Sequence, residues 1–215
     1  MKSSTIIATG FVLVTALLLC AFPVSGYSEA ATARYMEGQS DIASGNYSEA
    51  VAAFDAAIAL EPEYYEAWNE KADAYNRNEQ FNEALAASDK ALAINPDYVN
   101  GWINRGYILY NLGRQSDELS AYESALAIDS ENADAWFNKA YALAGMKRFD
   151  EALQAFDNVA EINPTYPHLA ENRKIAENLK NASTPFYIKY AFVLIIIAIV
   201  VIGAVAWYLA VRKKY

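Results

Sequence analysis

Residues 65–98 read YEAWNEKADAYNRNEQFNEALAASDKALAINPDY, and residues 133–166 read ADAWFNKAYALAGMKRFDEALQAFDNVAEINPTY. The two stretches align without a gap, and each holds 34 residues. Trp68, Trp102 and Trp136 are 34 residues apart, and so are Ala57, Ala91 and Ala125. Pro62 and Pro96 keep the same spacing, and Pro164 lies two periods beyond Pro96. A fixed period of this size is the signature of a repeat array, in which each unit is one supersecondary element. Four windows fit end to end, at 31–64, 65–98, 99–132 and 133–166.

Residue types recur at set positions within these windows. The fourth position holds Arg34, Trp68, Trp102 and Trp136; the eighth holds Gly38, Ala72, Gly106 and Ala140. Ala50, Ala84, Glu118 and Ala152 stand at the twentieth, and Phe54, Ser88, Tyr122 and Phe156 at the twenty-fourth. Ala57, Ala91, Ala125 and Val159 occupy the twenty-seventh, and Pro62, Pro96, Ser130 and Pro164 the thirty-second. This pattern resembles the tetratricopeptide repeat (TPR) family. The resemblance implies an all-α right-handed superhelix of four helix–turn–helix repeats. Small residues let paired helices approach closely, and large aromatics fill the remaining gap. Gly45-Asn46 and Leu112-Gly113 are turn signals between the two helices of a window. Proline ends the second helix because it pushes the preceding residue out of helical geometry. One unit cannot bury its own apolar face, whereas stacked neighbours bury a continuous core. A coiled coil is disfavoured, because turn signals interrupt every half-window. Residues 167–182 read as a capping helix, with Leu169, Ala176 and Leu179 near one face.

Departures from the pattern are informative. Arg34 and Asp41 replace apolar residues in the first window, as befits an end repeat that meets water. The third window has Gln115 for an aromatic, Glu118 for alanine and Ser130 for proline. A carboxylate at a close-packed contact is costly, so this window is expected to be the least stable.

In the TPR family the first helix of each repeat lines a concave protein-binding groove. By that resemblance the groove carries Tyr35 and Gln39 from the first window, and Asn69, Asp73 and Asn76 from the second. Ile103, Asn104, Tyr107 and Tyr110 follow from the third, and Phe137, Asn138 and Tyr141 from the fourth. Tyrosine offers rigid contact area, and asparagine offers donors and acceptors for a peptide backbone. About half of these side chains are expected to pack against neighbouring helices instead, since a helix surface is shared between groove and core. Family members that clamp a C-terminal carboxylate use Lys and Asn where Tyr35 and Gln39 stand here. The basic clamp is absent, so chaperone tails are not the expected ligand.

The two ends are apolar. Met1 to Gly26 reads as a signal peptide, with Lys2, an uncharged stretch from Thr5 to Phe22, and small residues after Pro23. Its retention as a signal anchor stays open. Tyr190 to Val211 holds no charged residue over 22 positions. As one helix it would rise about 33 Å, enough for a bilayer core. A transmembrane helix is therefore expected over 187–211, with Thr184 and Pro185 as its start signal and a basic tail at 212–215. The positive-inside rule places that tail in the cytoplasm and the repeats outside a single-pass cell membrane anchor. On that side the sequons at Asn46 and Asn181 would be open to glycosylation.

Charge and composition narrow the chemistry. All 26 Asp and Glu lie between Tyr27 and Ile188, against 12 Lys and Arg in that segment. Such a surface repels phosphates, so nucleic acid is not an expected partner. The chain has one cysteine, Cys20, and one histidine, His168, which excludes a His/Cys metal site and an internal disulfide. No catalytic set or phosphate-binding glycine loop is present, and no cofactor is expected. The run from Asp129 to Asp134 lacks the EF-hand glycine and distal glutamate, and reads as helix capping. The sequence thus points to a membrane-anchored, non-enzymatic scaffold that binds an unidentified protein or peptide. The alternative is a structural or assembly component of the cell envelope, and association of identical chains stays open.

Overall fold

The computed structural model describes residues 26–183, 188, 190 and 193–202. Four helix pairs follow one another: α1 (Glu29–Ser44) with α2 (Tyr47–Leu60), α3 (Tyr65–Arg77) with α4 (Phe81–Ile94), α5 (Val99–Asn111) with α6 (Gln115–Ile128), and α7 (Ala133–Gly145) with α8 (Phe149–Ile162). A further helix, α9 (Leu169–Ser183), packs on α8. Each pair also packs on the next, α2 on α3, α4 on α5 and α6 on α7. The first helices touch one another directly along the stack, α1 to α3, α3 to α5 and α5 to α7. No comparable contact joins α2 to α4, α4 to α6 or α6 to α8, so the first helices line the inner side of the curve.

Two kinds of turn build the array. Within every pair the turn is made by one residue in the left-handed region: Gly45 (φ 79°), Glu79 (φ 60°), Gly113 (φ 70°) and Lys147 (φ 61°). Glycine adopts this conformation without penalty, while Glu79 and Lys147 do so at a cost. Between pairs, the side-chain oxygens of Asn95, Asp129 and Asn163 each accept the backbone N–H two residues on, at 3.1 Å. These are Asx turns. The Trp indoles then tie the turn to the following helix. Trp68, Trp102 and Trp136 donate Nε1–H to the carbonyl oxygens of Pro62, Pro96 and Ser130, at 3.0, 2.8 and 2.9 Å. Because the acceptor is backbone, serine at 130 serves as well as proline. Asn132 accepts from the Ala135 N–H at 2.9 Å and caps α7.

The core is small residues against rings. Ala50, Ala84 and Ala152, and Ala57, Ala91, Ala125 and Val159, are fully buried. Phe54 lies over Gly38, and Tyr122 over Gly106. A Cβ added at either glycine would meet the ring at 2.6 or 2.4 Å. Ion pairs repeat at the same period between α3, α5, α7 and α9 and the helix before each: Lys71–Asp55 (2.6 Å), Arg105–Asp89 (2.9 Å), Lys139–Glu123 (3.0 Å) and Arg173–Asp157 (2.9 Å). Their acidic partners are about half exposed, so each contributes little to stability and chiefly fixes register.

Two expectations are corrected. Leu179 does not join Leu169 and Ala176 in the core; those two are buried, and Leu179 is 48% exposed. The transmembrane helix expected over 187–211 is not borne out: among the described residues no helix is long and apolar enough to cross a membrane. An uncharged run fixes composition, whereas spanning needs about 20 residues of continuous apolar helix. The single-pass placement, with repeats outside and tail inside, rested on that helix and falls with it. The remainder of the expected span, its start signal at Thr184 and Pro185, the tail at 212–215 and residues 1–25 of the expected signal lie outside the described residues.

Candidate functional site

The inner side of the curve holds the side chains expected in the groove, and they divide by what they touch. Asn69 and Asn76 are buried and join helices. Asn104 Nδ2 donates to Asn69 O at 3.2 Å and to Asn69 Oδ1 at 3.1 Å, and Asn111 Nδ2 donates to Asn76 Oδ1 at 2.9 Å. These amide bridges link α3 to α5. Ile103 packs on the cluster of Leu126 and Ala135, and Phe137 lies against Phe156 and Tyr166 with ring centroids 5.7 and 4.9 Å away. Tyr35 stacks on Tyr64 at 5.1 Å and accepts a hydrogen bond from Gln39 Nε2 at 3.0 Å. Burial pushes its phenol well above the ordinary value. Asp73 pairs with Arg77 at 2.7 Å.

Three expected rings remain open and lie together. Tyr107, Tyr110 and Tyr141 are 52%, 46% and 51% exposed. Tyr107 stacks with Tyr110 at 6.3 Å, and Tyr110 meets Tyr141 edge-on at 6.1 Å. The Tyr141 hydroxyl beside it holds the Tyr110 phenol above its usual value. Beside this row, Ile103, Asn104, Tyr107 and Asn138 line a hollow of about 310 Å³ with Asn100 and Asp134. The expected site is therefore split. Tyr35 and Gln39 contact each other at the first pair, and the open tyrosines stand on α5 and α7. The sequon residues Asn46 and Asn181 are exposed.

A larger cavity of about 410 Å³ adjoins the tyrosine row and contains residues that the repeat pattern did not assign to a site. Tyr110 and Tyr141 form one wall, Ile175 and Leu179 of α9 another, and Glu118 of α6 lines it as well. Glu118 is 2% exposed, and burial pushes its carboxyl up to about 7. Its departure from alanine was the available signal; that α9 would turn Ile175 and Leu179 outward had none. Among the described residues no group of three or more His, Cys, Asp or Glu could hold a metal ion.

Family models described as tetratricopeptide repeat match residues 35–99 and 77–133, and another matches 133–166. No curated protein sequence matches the chain. Among solved structures, YrrB, described as a TPR protein with an unusual peptide-binding site, is 25% identical with a TM-score of 0.59, covering 67% of this chain and 75% of its own. TTC0263, a thermophilic TPR protein of Thermus thermophilus, is 21% identical with a TM-score of 0.62, over 69% of this chain and 81% of its own. The first TPR of Spaghetti (RPAP3), solved bound to an HSP90 peptide, is 22% identical with a TM-score of 0.53, over 55% of this chain and 94% of its own.

Proposed function

The chain belongs to the tetratricopeptide repeat family, and from that premise we propose that it is a scaffold holding a protein or peptide segment against Tyr107, Tyr110 and Tyr141. The family's fold suits protein–protein interaction and is generally non-catalytic. One observation carries the choice of site: these three are the aromatic side chains of the inner helices left about half exposed, and they are in mutual contact. Exposed tyrosines in a row give a partner large contact area at little entropic cost, because each has only two side-chain torsions to fix. The hollow beside Asn104 and Asn138 adds amide groups for a peptide backbone. The first pair is a poorer site, since Tyr35 and Gln39 already satisfy each other and Asp73 is engaged with Arg77. The one described cation of this pair, Arg34, is held by Glu37 at 2.7 Å, so no free cation awaits a terminal carboxylate.

A photo-crosslinking residue tests the reading. Placed at Tyr107 or Tyr141 in cells that make the protein, it is expected to trap a protein partner. Placed at Asp89 or Glu123, on the exposed ends of the outer ion pairs, it is expected to trap none. Crosslinks from the outer positions and none from the tyrosines would move the site to the convex side.

A further inference from the structure

Glu118 is the one described acidic side chain that the fold buries almost completely, and no ion pair among the described residues uses its charge. It stands where the other three pairs place Ala50, Ala84 and Ala152. No hydrogen bond or ion pair within the described residues reaches its carboxylate, and burial is the sole cause of its raised pKa. It lies in the first turn of α6, whose dipole favours the charged form, yet the direction is still upward. Arg114, at the start of α6, holds Asp117 at 2.5 Å, and Lys180, next to the cavity-lining Leu179 on α9, pairs with Asp150. The titratable groups that sense Glu118 are the phenols of Tyr110 on α5 and Tyr122 on α6.

Glu118 nevertheless lines a cavity rather than sealed core. That cavity has aromatic walls at Tyr110 and Tyr141 and an apolar lip at Ile175 and Leu179. A buried, unpaired carboxylate beside two tyrosine rings is complementary to a planar cation on a long apolar stem. We propose that this cavity is a subsite for an arginine side chain of the bound segment, its guanidinium paired with Glu118 and lying against Tyr110 and Tyr141. Arginine fits better than lysine. Its fork can meet both carboxylate oxygens, it stacks on aromatic rings, and it gives up its hydration more readily than an ammonium. The apolar residue beside the arginine covers Ile175 and Leu179, which are otherwise 49% and 48% exposed. The subsite deepens the groove reading above and rests on it.

The test uses the full chain and two capped peptides, acetyl-Gly-Leu-Arg-Leu-Gly-amide and its twin with neutral citrulline in place of arginine. Tyrosine resonances are followed by NMR during titration. The arginine peptide is expected to shift Tyr110 and Tyr141 and to bind about tenfold tighter than its twin, the size of one charge-assisted hydrogen bond. Glu118→Gln, which keeps the shape, is expected to abolish the preference. Equal binding of the two peptides, or a preference that survives Glu118→Gln, overturns the subsite and leaves the groove standing. Failure of both peptides to shift Tyr107, Tyr110 or Tyr141 removes the groove as well. Tighter arginine-peptide binding after replacement of Arg212, Lys213 and Lys214 by glutamine would make the chain's own tail the occupant and overturn the partner.

Discussion

Glu118 shows how a single side chain can set stability against pH. Its folded pKa of about 7 lies above the ordinary value of 4.5. Below the lower value both folded and unfolded chains hold the proton. Between the two values only the folded chain holds it, so stability falls as pH rises through this window. Above the upper value the full penalty, about 3 kcal/mol at most, is present. Glu118→Ala is expected to raise the thermal midpoint at pH 8 and to leave it nearly unchanged at pH 4. An unchanged or lower midpoint at pH 8 would show that the carboxylate is held by interactions the structure lacks. Ser88 is the neutral counterpart. Its hydroxyl is fully buried without a hydrogen-bond partner, where the other pairs place rings.

At the scale of the element, the four turns within pairs share one backbone geometry but not one residue type. A Cβ added at Gly113 would meet nothing within 4 Å, so the contribution of this glycine is conformational. Gly113→Ala is expected to cost about 1 kcal/mol, from the left-handed φ of 70° alone. Lys147→Gly should move the other way by a few tenths of a kcal/mol up to about 1, since the side chain is exposed and loses little contact. Urea denaturation of both variants measures this; a stabilising Gly113→Ala would contradict it. These turns also mark the limit of the sequence. Gly45 and Gly113 announce the break, whereas Glu79 and Lys147 look like ordinary helix residues and take the same conformation because the packed helices on either side impose it. Asn69 and Asn76 were legible as inner-side residues. Their burial was not, because it depends on Asn104 and Asn111 arriving from the next pair. The Trp and Ala positions were readable for the opposite reason: they meet partners within their own window or its neighbour at a constant offset.

Across the whole molecule, the repeat count and helix order follow from a period of 34, while the placement of the apolar C-terminal stretch does not follow from its hydropathy. Every junction between pairs carries the same three devices at the same offsets: an indole bonded to a turn carbonyl, an ion pair, and an inter-pair packing face. None of them refers to a position farther away than one neighbouring pair. The array can therefore be lengthened by gene duplication or by design without inventing an interface. A second copy of 65–98 inserted after Tyr98 would find Pro96 for its indole and Asp89 for its lysine, and would offer both again to Trp102 and Arg105. The extended protein is expected to unfold at higher urea with a larger m-value than the original, as nearest-neighbour stacking requires.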